Sequence, residues 1–335
     1  MSEIQERLQK ITPRRLSSLG RVIVILHRDI MRLLRMIGNA AIGLFRGTGK
    51  LADKAVEATA RRSERTDYDA GVLHGEASVR LELDDRRSQY PARVTNVPDG
   101  QCVYAIGDIH GRCDLLEALL DKIDEDASSL PDGTEKIIVF LGDYIDRGMQ
   151  SRQVIELMQS ERLGDYRPVF LMGNHEEALL RFRDEAGFGA QWGRYGGRET
   201  LFSYGVQPPN AQAALDPDAW YEAWQKFRDV LPDQHLEFFQ SMKHYITIGD
   251  YLFVHAGLRP NIELEDQTAD DMLWIRDGFL KDEQAFPYLV VHGHTPSHAP
   301  YLDHRRMGLD TGAFTSSVLT AARFFGSDIQ VIKTR

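Results

Sequence analysis

The chain has 335 residues, of which 42% are hydrophobic and 27% charged, with 40 lysines and arginines against 50 aspartates and glutamates. That composition suits one large globular domain plus an extra segment, and it excludes a collagen-like, mucin-like or wholly disordered chain. Two cysteines, Cys102 and Cys113, cannot build a disulfide framework and form no CxxC zinc pair, so a reducing, cytoplasmic setting is expected.

The charge is unevenly distributed. Residues 1–98 carry 18 basic and 12 acidic side chains, whereas residues 99–335 carry 22 and 38. Near the start, the apolar residues 22–26 are interrupted by His27, Arg28 and Asp29, too soon for a membrane span or a secretory signal. Across residues 19–45, Arg21, Arg28, Arg32 and Arg35 recur at helical spacing among apolar residues such as Val22, Ile25, Leu33, Leu34 and Ile37. The pattern predicts a basic amphipathic helix within a leader of residues 1–60. Such a helix can lie on an anionic membrane surface, placing the protein at the periphery of the inner membrane; packing on the body or on itself fits the same stripe. Residues 61–98, rich in charge and without a strong period, read as a linker.

From residue 99 to the end the texture is that of an α/β domain, with short β-forming runs separated by helix-length segments. Strands are predicted at residues 103–106, 137–141, 169–172, 251–254 and 289–291, and helices at 115–123 and 152–158. The acidic charge of this body argues against nucleic-acid binding, which needs clustered cations. An anionic substrate must be drawn by a local positive centre such as metal ions.

Five polar blocks follow the five predicted strands: Gly107-Asp108-Ile109-His110-Gly111, Gly142-Asp143-Tyr144-Ile145-Asp146-Arg147-Gly148, Gly173-Asn174-His175-Glu176, His255-Ala256-Gly257 and His292-Gly293-His294-Thr295. Groups at the ends of neighbouring strands converge on one sheet edge, and glycines permit the sharp turns that set them over it. The mixture of carboxylate, imidazole and carboxamide suits manganese, iron or zinc better than an all-oxygen calcium or magnesium cage. The count suggests two ions: Asp108 and His110 can hold one, Asn174, His255 and His294 the other, with Asp143 between them.

These blocks resemble the calcineurin-like metallophosphoesterase superfamily over residues 103–312, and the Asp146-Arg147-Gly148 ending is similar to that of phosphoprotein phosphatases of bacterial and bacteriophage type. The resemblance implies a sandwich of two mixed β-sheets flanked by helices, with a dimetal centre at its edge. It makes Asp108, His110, Asp143, Asn174, His255 and His294 the ligands of two divalent ions, manganese first and iron or zinc as the other options. His294 is the residue carried over, His292 being given a supporting role, and Pro296 stands where some members place a further histidine.

The implied mechanism is direct in-line hydrolysis by a metal-bridging hydroxide, with His175 protonating the leaving group, Asp146 orienting His175, and Arg147 gripping phosphate oxygens. Arg276 resembles a second phosphate arginine, although a surface cation is also consistent with its setting. The substrate expected from this branch is a phosphoserine or phosphothreonine protein. Hydrolysis of diadenosine polyphosphates or other nucleotides on the same metals is the alternative within enzymes, and a membrane-recruited adaptor with a vestigial centre is the alternative outside them.

Between the third and fourth blocks, residues 192–198 are glycine-rich and read as a flexible lip, while Trp220, Trp224 and Phe227 have the spacing of helix core. Trp192 and Tyr195 could serve nucleotide stacking only if they stand over the site. Cys113 reads as a packing residue whose nearness to His110 leaves oxidation open.

Overall fold

The computed structural model describes residues 82–83 and 94–335; the leader and most of the segment read as linker lie outside the described residues. Among the described residues, eleven strands form two sheets. They are β1 (Glu82–Leu83), β2 (Gln101–Ile106), β3 (Glu135–Phe140), β4 (Arg167–Phe170), β5 (Tyr245–Ile248), β6 (Tyr251–Val254), β7 (Leu289–His292), β8 (Tyr301–Leu302), β9 (Arg306–Gly308), β10 (Thr320–Phe325) and β11 (Asp328–Lys333). One sheet runs β11-β10-β2-β3-β4 and the other β1-β8-β9-β7-β6-β5. Both are mixed: β2, β3 and β4 are parallel and β10 antiparallel to β2, while β6 and β7 are parallel and β5 antiparallel to β6.

The period of two along each strand decides the layers. Val103 and Ala105 of β2 join Tyr251 and Phe253 of β6 in the core between the sheets, together with Val139, Val291 and Phe324. The alternate residues Cys102, Tyr104 and Ile106 face helix α1 (Cys113–Ala127), whose Leu115, Leu116, Leu119, Leu120 and Ile123 recur at helical spacing in a second core. Leu252, Val254 and Val290 pack outward with Met272 and Phe279 in a third. The structure is therefore the expected sandwich of two mixed sheets flanked by helices.

Further helices cover the first sheet: α2 (Ser151–Met158), α3 (Asn174–Asp184), α4 (Gly189–Tyr195), α5 (Gly197–Ser203), α6 (Pro217–Val230) and α7 (Asp233–Ser241), with α8 (Ala269–Trp274) on the second. The glycine-rich segment read as a flexible lip is helix α4 running into α5, joined at Gly196, which has φ 108°. Apolar anchors explain the difference: Trp192 is fully buried, and Trp220 and Phe227 of α6 are buried around it. Residues 94–98 also pack on the body, with Val97 buried and the Thr95 hydroxyl donating to Tyr251 Oη at 2.9 Å. No helix of the described residues is long and apolar enough to cross a membrane.

Phe324 is fully buried between the sheets, its ring 4.7 Å from that of Tyr251 and 5.7 Å from that of Phe253. Phe324→Ala should therefore cost about 3–5 kcal/mol, the usual range for deleting a core phenylalanine. A urea unfolding curve with an unchanged midpoint would contradict this packing.

Candidate metal centre

The polar blocks follow the carboxyl ends of β2, β3, β4, β6 and β7, and the parallel pairing puts those ends on a common edge. Backbone bonds lock the blocks together. Asp143 O accepts from the N–H groups of Ile109 and His110 at 3.0 and 2.9 Å, and His255 O accepts from Gly293 N at 2.8 Å. His110, Asp143, Asp146, Arg147 and His294 all have positive φ, between 47° and 70°. Such conformations are costly for residues with a Cβ and concentrate where surrounding structure fixes a side chain's aim.

A residue with no assigned role in the sequence reading organises this edge. Glu176 is fully buried, and its carboxylate accepts from Asp143 N (2.9 Å), Gly173 N (3.0 Å), Tyr144 N (2.8 Å) and Ile145 N (3.3 Å). Burial and the neighbouring Asp143 push its pKa up to about 8, and the backbone donors oppose that shift. Gly142, with φ 96°, brings its loop so close to the next that a Cβ would sit 2.7 Å from Gly173 Cα and 2.8 Å from His255 Nδ1.

Two groupings of ligand atoms result, His110 with Asp143 and His175, and Asp143 with His255 and His294, each with its atoms within 4.8 Å of one another. Asp143 divides its oxygens between them: Oδ2 is 3.6 Å from His110 Nε2, and Oδ1 is 3.3 Å from His255 Nε2. Asn174 Oδ1 joins the second grouping, 2.9 Å from His255 Nε2 and 2.8 Å from His294 Nδ1. Asp108 stands at the same edge outside both groupings, its oxygens accepting from His294 N at 3.0 and 3.1 Å. The buried Asp310 neighbours it; burial leads the causes that raise its pKa, to about 6.

The donor chemistry fits metal ions. His255 Nδ1 lies 2.7 Å from Leu141 O and His110 Nδ1 2.9 Å from Ile145 O, and a carbonyl can only accept, so both rings carry their proton on Nδ1. Burial keeps them neutral, lowering the pKa of His255 and taking that of His110 to about 3. Their Nε2 lone pairs thus face carboxylate and carboxamide oxygens with no proton to share, an arrangement that a cation between them resolves. His294 is held neutral in the same way, with a pKa near 2, and its buried Nε2 has no hydrogen-bond partner among the described residues.

Beside this set stands a hydrogen-bonded dyad. His175 Nδ1 donates to Asp146 Oδ2 at 2.7 Å. Asp146 is fully buried and also accepts from Trp192 Nε1 (2.9 Å, at Oδ2) and from the Thr200 hydroxyl (2.6 Å, at Oδ1). Burial lowers the His175 pKa, but Asp143 and Asp146 outweigh it and the net shift is upward. Arg147 Nη2 lies 3.2 Å from His175 Nε2, and the Arg147 N–H is held by Gly196 O at 3.1 Å. Arg276 is exposed, and its charge adds to the burial that depresses the pKa values of His255 and His294.

Other candidates fall away from the chemistry. His292 is taken on both nitrogens, accepting from Arg306 Nη1 at 2.9 Å and donating to Gly293 O at 2.9 Å. Burial raises the Cys113 thiol to about 11, which keeps it protonated and unreactive. Trp192 lies beneath Asp146 and away from the mouth, whereas Tyr195 is half-buried with its ring 6.2 Å from that of His175.

A profile of the calcineurin-like phosphoesterase family matches residues 103–316. The bis(5'-nucleosyl)-tetraphosphatase PrpE (asymmetrical) of Halalkalibacterium halodurans is 26% identical over 239 residues, which cover 65% of this chain and 88% of that protein. Its namesake from Geobacillus sp. is 28% identical over 242 residues, covering 65% and 89%. Among solved structures, a metallophosphoesterase from Sphaerobacter thermophilus aligns over 70% of this chain and 88% of that one, with a TM-score of 0.40 and 19% identity.

Trp192→Phe keeps the buried ring and removes one donor to Asp146. Turnover of phosphate esters should fall about 10–100-fold, the usual effect of losing an outer partner of a metal site, with metal content unchanged by elemental analysis. Full activity in the variant would show that Asp146 does not need this bond.

Proposed function

We infer the reaction from the family, for this chain belongs to the calcineurin-like phosphoesterases through residues 103–316. We propose that it is a dimetal-dependent hydrolase of bis(5'-nucleosyl) polyphosphates that cuts the phosphate chain asymmetrically. The observation that carries this reading is the pair of curated relatives, both asymmetrical bis(5'-nucleosyl)-tetraphosphatases aligned over 88% and 89% of their own length.

The roles we assign follow the site. Asp108, His110 and Asp143 would hold one divalent ion, and Asp143, Asn174, His255 and His294 the other, with manganese the first choice for this mixed donor set and iron or zinc next. When bound, the two ions supply a nucleophile at neutral pH and neutralise phosphoryl charge. Arg147 lies within electrostatic reach of His110 and Arg276 of His255 and His294, a pair of cations suited to a run of charged phosphates. Because Arg147 touches His175 Nε2, a phosphoryl group gripped by its guanidinium comes to rest beside the imidazole. Asp146 fixes the ring through Nδ1 and favours its charged form; once the Arg147 guanidinium has turned from Nε2 to a phosphoryl group and the imidazole is protonated there, Nε2 is the atom that would give a proton to the departing oxygen.

The dyad supports a second reading, the phosphoserine or phosphothreonine phosphatase. An alkoxide leaving group needs protonation more than a nucleotide does, and the buried His175–Asp146 pair with its Trp192 and Thr200 supports is built to supply it.

Manganese-loaded full-length protein should release adenosine monophosphate and triphosphate from diadenosine tetraphosphate with a kcat/KM at least about tenfold above that for a phosphoserine or phosphothreonine peptide, a margin of ~1.4 kcal/mol in transition-state binding. Asp143→Asn should lose both metal and turnover. A preference for the peptide would replace the nucleotide reading by the second one. His175→Asn should keep its metal and lose more activity on alkyl esters than on p-nitrophenyl phosphate; equal losses would remove His175 from the acid role.

A further inference from the structure

Above the ligand set stand two aromatic rings that the proposed chemistry does not use. Tyr195 closes α4 and Trp274 closes α8, and their rings meet with centroids 5.7 Å apart at 55°. Tyr195 reaches His175, with a ring separation of 6.2 Å, and Trp274 reaches His294, at 6.3 Å, so the pair spans the mouth from the dyad to the second ligand grouping. Both are half-buried, lodged against the helix-side core along one side. Each polar tip is pinned: Trp274 Nε1 donates to Glu177 Oε2 at 3.2 Å, and Gln191 Nε2 donates to Tyr195 Oη at 2.7 Å. Pinned rings lose little freedom when a flat ligand settles on them.

Their place relative to the cations is what points to a ligand. Tyr195 precedes Gly196, whose carbonyl holds the Arg147 N–H, and Trp274 lies two residues before Arg276. The two rings thus sit on the chain segments that carry Arg276 and hold the Arg147 backbone, while touching His175 and His294, and a nucleotide presents a phosphate chain and a flat base to be bound together. We propose that Tyr195 and Trp274 form the stacking subsite for a nucleobase of the substrate, and so discriminate nucleotides from base-free phosphates. The proposal rests on the nucleotide reading given above and names the residues that would enforce it.

Two measurements on the manganese-loaded full-length protein test it. In the first, tryptophan fluorescence is followed while adenosine triphosphate, or inorganic tripolyphosphate as the base-free probe, is added to the wild type and to Trp274→Phe. Quenching by the nucleotide alone, reduced in the variant, is expected. In the second, Tyr195→Ala and Trp274→Leu should each raise KM for diadenosine tetraphosphate about tenfold, within the range for one base stacked on one aromatic ring, with a smaller change in kcat. Equal quenching by both probes, or KM values unchanged in both variants, would overturn the subsite. If the wild type quenches selectively with the nucleotide yet does not cleave diadenosine tetraphosphate, the subsite stands and the proposed reaction falls. If it cleaves the dinucleotide without selective quenching or any KM effect, the reaction stands and the subsite falls.

Discussion

The candidate site hangs from one buried carboxylate. Glu176 accepts four backbone N–H groups, three from the consecutive residues Asp143, Tyr144 and Ile145 and one from Gly173, and so ties the loop after β3 to the start of α3. Those donors have no other route to satisfaction in a dry interior, and leaving any of them unpaired would cost about 1–3 kcal/mol. The turn they define holds Asp143 at φ 55°, the conformation from which its two oxygens reach His110 and His255 on opposite sides. Both the bridging position and the spacing of the two groupings therefore depend on a side chain that belongs to neither.

The same economy governs the dyad. Burying Asp146 in a medium without water is tolerable because His175, Trp192 and Thr200 all donate to it. Two of those donors come from α4 and α5, and Gly196 between them holds the backbone of Arg147. The insertion is consequently a wall built against the His175–Asp146 end of the site. Its glycines serve close packing, since a Cβ at Gly193 or Gly189 would press on the Trp220 ring.

This division explains what could be read from the sequence. The parallel strands and the polar blocks that follow them are local features, an apolar run ending in glycine and a ligand-type residue, and the structure puts those blocks on one edge. The strands β8 and β9 are only two and three residues long, and β10 enters its sheet by pairing with β2, as in Ala321 opposite Ile106, and carries β11 on its other side; no window of sequence holds that long-range pairing. Trp192 was legible as an aromatic in a glycine-rich stretch but not as the partner of Asp146, which lies 46 residues away. Glu176 stood inside a recognised block, yet its task is defined by the backbone of another loop. Asp310 follows no predicted strand and meets Asp108 only in the folded chain.

The charge pattern then takes on a specific meaning. The body is acidic overall, and the site itself gathers Asp108, Asp143, Glu176 and Asp310 with histidines that burial keeps neutral. A phosphate ester approaching this edge meets positive charge in the Arg147 and Arg276 side chains, while the charged carboxylates of Asp143 and Asp310 behind them repel it. Divalent cations reverse that balance and also separate the lone pairs that His255 and Asn174 turn toward each other. Metal loading and admission of an anionic substrate are, on this electrostatic argument, two consequences of the same set of neutral imidazoles and buried carboxylates. Neither demands a basic surface, which is why an acidic domain can carry a phosphate-handling centre.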